Sequence, residues 1–304
     1  MTHIPQFPDF VRLSLSHKDL LRTVTKQFPP YSDFNFVSLY AWDTDEILGV
    51  ALLHDNLIVR FSDYESDKIF LSLLGTNKLS DTLRTLFQYC RDKHLPEILE
   101  LVPHTVVKQI DSSLLDEYEL KEDRNNHDYI ISVKNLSSGN TSRNKRRSYA
   151  HFIRKCNNEA KCRLLNLGTS EDRHRIEGVL ASWKEAKTLT QENKKEFTAI
   201  DRCLRHAEEL DVQAYGTFIK NRLVSFVIFE VLSGRTAMLH FGKSDYGLPG
   251  AFDYMKIELA RYFDALHIEY MNFEQDVGIE GLRADKEAYK PVKFLKKYTI
   301  EEKT

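Results

Sequence analysis

Asn272-Phe273-Glu274-Gln275-Asp276-Val277-Gly278-Ile279-Glu280-Gly281-Leu282-Arg283 continues a largely apolar run, 268–273, that reads as a buried strand. It then passes two glycines and enters a short charged helix. Acidic, amide and basic groups therefore gather where a strand ends. Ligands collect at such places in mixed α/β folds, because the backbone opens there and helix N-termini face the opening. Upstream, the loop Ser244-Asp245-Tyr246-Gly247-Leu248-Pro249-Gly250 leads into a helix expected over 251–263. Before it come three strand-like runs, 212–219, 223–232 and 237–242, the first two joined by a turn at Lys220-Asn221-Arg222.

Further upstream a basic helix is expected over 144–156. A second follows the Thr169-Ser170 cap with Ile176, Val179, Leu180 and Trp183 at helical spacing, and a third lies near 197–210. The first half runs in a similar order. A helix over 18–27 stops at Pro29-Pro30, and strands at 47–53, 57–62 and 69–74 follow, with a turn at His54-Asp55-Asn56. A helix from Ser80 to Arg91 and a strand at 97–102 follow, and a strand at 129–133 leads into the second unit. Helices, an antiparallel meander, a helix and a strand make the order of an acetyltransferase-like fold. Its repetition predicts an α+β chain of two tandem acetyltransferase-like (acyl-CoA N-acyltransferase-like) units with mainly antiparallel mixed sheets. The expected units are 1–127 and 128–304. The polar stretch 123–127 marks the boundary without any Gly/Ser or Pro run typical of a flexible linker.

A chain of 304 residues has room for two cores of ordinary size. Its net charge of −2 argues against a wholly basic nucleic-acid binder. Charge is unevenly placed, however: 134–161 holds eight Lys or Arg residues and a single acid, Glu159. The four cysteines, Cys90, Cys156, Cys162 and Cys203, form no CxxC pair and read as reduced thiols. The start, Met1-Thr2-His3-Ile4-Pro5, lacks a leader pattern. The apolar run 223–232 is broken by Glu230 and falls short of the ~20 residues of a membrane helix. The expectation is a soluble cytoplasmic protein with no transmembrane segment.

Several residues could carry chemistry. Arg143, Lys145, Arg146, Arg147 and Arg154 offer cations suited to phosphate oxygens, or a solvated helix face. Gly247, Gly250 and Ala251 could bring backbone N–H groups to an anion, or simply make a helix-start turn. Pro249 removes one donor there. Glu274 and Asp276 lie two apart, on one side of an extended strand. One could accept a proton while the other anchors an ammonium or caps the next helix. Lys243 and Lys286 could supply an oxyanion donor. Lys296 and Lys297 read instead as an ion-pair network, His240 as a satisfied core histidine, and Trp42 and Trp183 as packing. The sequence has no HExxH, nucleophile elbow or Walker loop, so metal-dependent and serine-hydrolase chemistry is disfavoured, and no metal ligands are assigned.

Residues 272–297, including Lys286, Tyr289, Pro291 and Lys297, resemble the signature of the phosphatidylglycerol lysyltransferase C-terminal domain family. The resemblance extends to Tyr129-Ile130-Ile131, to Lys145-Arg146-Arg147 with Phe152, and to the segment 36–42. Free-standing soluble bacterial members are the nearest kind. One departure concerns a Glu-Lys-Ala sequence common in the family: here it is Gly242-Lys243-Ser244, without the acid. The resemblance implies a paired acetyltransferase-like fold and transfer of an aminoacyl group from aminoacyl-tRNA to a lipid head group or a small amine or hydroxyl acceptor. It implies tRNA and an anionic membrane surface as partners, and no cofactor beyond the donor. Two other readings stand beside it: an acyl-coenzyme A-dependent N-acyltransferase using the 247–250 loop, and a non-catalytic module that binds tRNA or anionic lipid.

Overall fold

The computed structural model describes residues 3–62, 68–186, 190–232 and 235–303. The chain divides into two compact units, residues 1–128 with 295–304, and residues 129–294. Among the described residues no helix is long and apolar enough to cross a membrane.

In the first unit, α1 (Lys18–Thr25) and α2 (Phe36–Trp42) precede β1 (Gly49–Leu53), β2 (Asn56–Ser62) and β3 (Ile69–Leu74). Then come α3 (Leu79–Asp92), β4 (Ile98–Pro103), α4 (His104–Val107), α5 (Ser112–Glu117) and β5 (Tyr118–Glu122). His54 and Asp55, both left-handed, make the two-residue turn that lets β1 and β2 pair with the twist of a hairpin. The Asn35 side chain caps α2 by accepting from the Ser38 N–H, a device the bare apolar pattern of 36–42 does not announce.

The second unit continues with β6 (Asp128–Ser132), α6 (Val133–Ser137), α7 (Arg143–Lys155), β7 (Ala160–Leu165), α8 (Ser170–Glu185), α9 (Gln191–Arg205) and α10 (Ala207–Leu210). It closes with β8 (Gln213–Ile219), β9 (Arg222–Leu232), β10 (Thr236–Ser244), α11 (Ala251–Ala265), β11 (Tyr270–Asn272), α12 (Glu280–Glu287) and β12 (Lys293–Leu295). The last strand, β13 (Lys297–Glu302), returns to the first unit. Sequence order alone places 295–304 in the second unit. The structure places it in the first, because β13 pairs antiparallel with both β4 and β5.

The sheet orders are β1-β2-β3-β4-β13-β5 and β12-β6-β11-β10-β9-β8-β7. Each contains an antiparallel meander followed by a helix and a parallel strand: β3 with β4, and β10 with β11. Two mixed sheets with the same local order give the expected tandem α+β architecture. Its cores are sequence-local in kind. α3 buries Leu83, Leu86 and Phe87 on the first sheet, and α11 buries Met255, Leu259 and Phe263 on the second. Within the first unit Lys297 is fully buried, bonded to Asp128 at 2.9 Å and paired with Asp33. Ser32 donates its hydroxyl to the same Asp128 at 2.6 Å. Lys296 pairs with Glu122, so both lysines belong to the ion-pair network.

Candidate active site

The parallel pair β10–β11 keeps register only from Thr236↔Tyr270 to Met238↔Asn272. Beyond it, β10 runs on to Ser244 against β9 alone, so a gap opens at the carboxyl end of the two parallel strands. The ladder of β10 on β9 shifts between Leu239 and Phe241. The extra residue of that bulge is His240, and bulges redirect side chains in this way. Its imidazole lies between two carboxylates, with Nδ1 3.1 Å from Glu274 Oε1 and Nε2 3.2 Å from Glu230 Oε1. With an acceptor at each ring nitrogen, both N–H groups donate and the ring is an imidazolium. Burial opposes that charge, but the bonds to Glu230 and Glu274 outweigh it and lift the imidazole to about 9. An imidazolium has no lone pair for a metal, and no metal-holding cluster occurs among the described residues.

The side chains of His240 and Glu230 are 1% and 2% exposed, whereas that of Glu274 is 18% exposed. Glu274 is thus the member of the trio that reaches the gap. Glu274 stands out in the sequence, whereas His240 reads there as a core histidine and Glu230 is given no chemical role. One signal was present: Glu230 interrupts an otherwise apolar strand, and a buried acid requires a partner.

Glu274 sits in the left-handed region at φ 56°, held from several sides. Asn272 accepts its N–H at 2.7 Å, and its carbonyl accepts from the Tyr129 N–H at 3.2 Å. Lys286, expected at the chemistry, is buried and donates to the carbonyls of Phe273 at 2.6 Å and Gln275 at 2.5 Å. Asp276 is fully buried. It accepts from Arg283 Nε and Nη2 at 3.0 and 2.8 Å, from the Tyr129 hydroxyl at 2.5 Å and from the Gly278 N–H at 2.9 Å. Burial alone would raise the Asp276 carboxyl, but these donors bring it down to about 2. Asp276 and Lys286 therefore fix the loop that presents Glu274; neither reaches the gap.

Lys243 shares a sheet face with Glu230. Paired residues point the same way, and Lys243↔Phe226 and Met238↔Glu230 are linked along β9 by steps of two. Its ammonium is held by both oxygens of Glu196 at 2.6 and 2.7 Å and lies 4.7 Å from the Trp183 ring centroid. Trp183 thus has a polar neighbour in addition to its edge contact with Phe197.

The basic helix requires one correction. Lys145, expected to bind phosphate, is buried. It bonds Asp253 at 2.6 Å, pairs with Asp285, and lies over the Tyr289 ring. It ties α7 to α11 and α12, and two carboxylates already meet its charge. Arg146 donates to the Thr141 carbonyl from an exposed position. Arg143, Arg147 and Arg154 are exposed at spacings that share one helix face.

The glycine loop is also spoken for. Gly250 caps α11 at φ 91°, and a Cβ there would fall 2.4 Å from the Ser148 carbonyl oxygen. The Gly247 N–H bonds Asp245 at 2.9 Å, and the Ala251 N–H bonds the Leu248 carbonyl at 3.1 Å. Gly250 is needed for close approach to α7, and the loop does not present a ring of free donors. Burial also pushes the Cys162 and Cys203 thiols up to about 12, away from the thiolate a nucleophile needs.

A family model described as phosphatidylglycerol lysyltransferase, C-terminal, matches residues 25–301. The chain belongs to this family. A conserved protein of unknown function from Bacteroides thetaiotaomicron superposes with a TM-score of 0.78 at 21% identity, over 97% of this chain and 99% of that one. The L-PGS of Bacillus licheniformis gives 0.61 at 13% identity, over 99% and 94%, and FemX gives 0.53 at 8%, over 97% and 95%. These solved structures share the acyltransferase-like fold. A comparison with curated proteins returns no match. In this lysyltransferase C-terminal family member, the signature residues Asn272, Asp276, Arg283 and Lys286 hold the loop that presents Glu274.

Proposed function

We propose that the protein is an aminoacyltransferase that takes its acyl group from aminoacyl-tRNA and passes it to an amine or hydroxyl acceptor, a lipid head group or a small molecule. Family membership over 25–301 supports this reaction class. The observation that carries the site is the partly exposed Glu274 carboxylate on the buried His240–Glu230 pair at the β10–β11 gap. In this reading Glu274 accepts the proton of the attacking N–H or O–H group as the new bond to the acyl carbon forms. The ester bond to the tRNA 3′ oxygen then breaks, and that oxygen leaves with the proton that Glu274 accepted. His240 positions Glu274 and balances its charge. Lys243, on the sheet face of Glu230 and bonded to Glu196, is the lysine this reading assigns to the developing oxyanion; Lys286 is committed to backbone carbonyls.

Arg143, Arg147 and Arg154 on the exposed face of α7 provide the phosphate contacts that a tRNA donor requires. A coenzyme A-dependent reading has less support. The start of α11 is closed by the Ser148 carbonyl against Gly250, and Asp253 adds an acid to its first turn. The test is incubation of purified protein with labelled aminoacyl-tRNAs and an extract of lipids and small amines. A labelled lipid or small-molecule product, separable from tRNA and formed from charged tRNA, is the expected result. Labelling from acyl-coenzyme A alone would favour the second reading.

A further inference from the structure

Between α8 and the turn joining β8 to β9 lies an open groove of about 780 Å³. That is within the range of sites that hold a small organic ligand, roughly 300–1,000 Å³. Val179 and Leu223, 4% and 5% exposed, form its apolar floor, and Arg175, Lys220 and Arg222 bring positive charge against a single acid, Asp245. Arg175 is shared with Asp172 and Glu171, and Arg222 with Asp245 at 2.7 Å. Lys220 has no acidic partner among the described residues. A second groove, between α8 and α9 and about 390 Å³ in volume, mixes Arg173, Lys184 and Arg205 with Glu177 and Asp201 and has no comparable bias.

Gly178 lies in the interior of α8, on the same face as Arg175 three residues before and Ser182 four residues after. Glycine is the least favourable helix residue after proline, so an interior glycine calls for a reason. Packing does not supply one, because a Cβ at Gly178 would meet nothing within 4 Å. What glycine leaves is a flat strip of helix backbone along the groove, suited to a planar ring. Guanidinium forks and an unpaired ammonium suit phosphate oxygens.

We propose that this groove is a nucleotide-binding site. The phosphate lies against Lys220 and Arg222, and the base lies over the exposed backbone at Gly178, beside Arg175. The nucleotide is either free or the end of an RNA chain. The site does not depend on the transfer reaction, and its test uses binding alone.

AMP, GMP, CMP and UMP serve as probes, titrated calorimetrically into the full chain at low ionic strength beside inorganic phosphate and adenosine. At least one nucleotide should bind about tenfold or more tightly than phosphate or adenosine, since each of these makes only part of the contacts. Lys220→Glu, on an exposed turn, should weaken that binding about tenfold or more. Gly178→Leu should abolish it while the unfolding temperature stays level or rises. Displacement of tRNA by the bound mononucleotide would identify an RNA end as the natural occupant, and binding without displacement a free nucleotide. The proposal fails if none of the four nucleotides binds saturably, or if Lys220→Glu leaves binding unchanged.

Discussion

At the residue scale, the gap between β10 and β11 is governed by an ion trio in which one cation serves two carboxylates. Glu274→Gln keeps the shape of the side chain and a hydrogen bond to His240 but removes the charge. If Glu274 is the general base, turnover should fall by about 10²–10⁴ with a small change in unfolding temperature. Full specific activity in the variant would make Glu274 structural. His240 has a separate signature. Its folded value of about 9 lies above its ordinary 6.5, so its contribution is complete below about 6.5 and is lost as pH rises through about 9. The difference in stability between wild type and His240→Gln should therefore shrink across that window, by up to about 3 kcal/mol. A difference that does not vary between pH 6 and 10 would show that His240 is not charged in the fold. Glu274 was legible because two acids spaced by two at a strand end stand out. The trio was not, because His240 meets Glu230 only through a bulge, and a one-residue register shift leaves no periodic trace.

At the element scale, α7 shows how composition can point to a surface without naming its residues. The run of cations from Arg143 to Arg154 marks an anion-binding or solvated face. Composition does not reveal that Lys145 turns inward, since that depends on Asp253 and Asp285 arriving from helices more than 100 residues later. Replacing Arg143, Arg147 and Arg154 together with glutamine should lower the slope of log affinity against log salt for tRNA by about two to three, with stability nearly unchanged. An identical slope in the variant would return this face to solvent. Lys145→Met makes the contrasting case, because it leaves Asp253 buried without its cation and should destabilise the second unit by about 3–5 kcal/mol. The element boundaries themselves were largely legible. The strand at 69–74 matches β3 (Ile69–Leu74), and Thr169 caps α8 by accepting from the Asp172 N–H. β7 (Ala160–Leu165) was not, since its mostly exposed, cation-bearing pattern is that of an edge strand that packs little.

At the scale of the whole molecule, the repeated order of meander, helix and parallel strand was legible, because each repeat is built from neighbours in sequence. The path of the C-terminus was not. β13 enters the first sheet between β4 and β5, a pairing that joins residues nearly 200 apart, and no local propensity specifies such a contact. What secures it is electrostatic as well as apolar. Lys297 brings one positive charge to Asp33 and Asp128, both buried, and Ile300 packs into the core of the first sheet. Burial opposes the Lys297 charge, but the two aspartates outweigh it and raise the ammonium above its ordinary value. Removing the cation strands two acids away from water, a cost of about 3–5 kcal/mol. Lys297→Met should therefore lower the stability of the first unit by that amount, seen as a large fall in its unfolding temperature. Lys297→Met combined with Asp128→Asn and Asp33→Asn should recover much of the loss, because the stranded charges are then gone. If Lys297→Met proves as stable as wild type, packing of Ile300 and the β13 ladder hold the C-terminal strand, and the buried ion pairs contribute little.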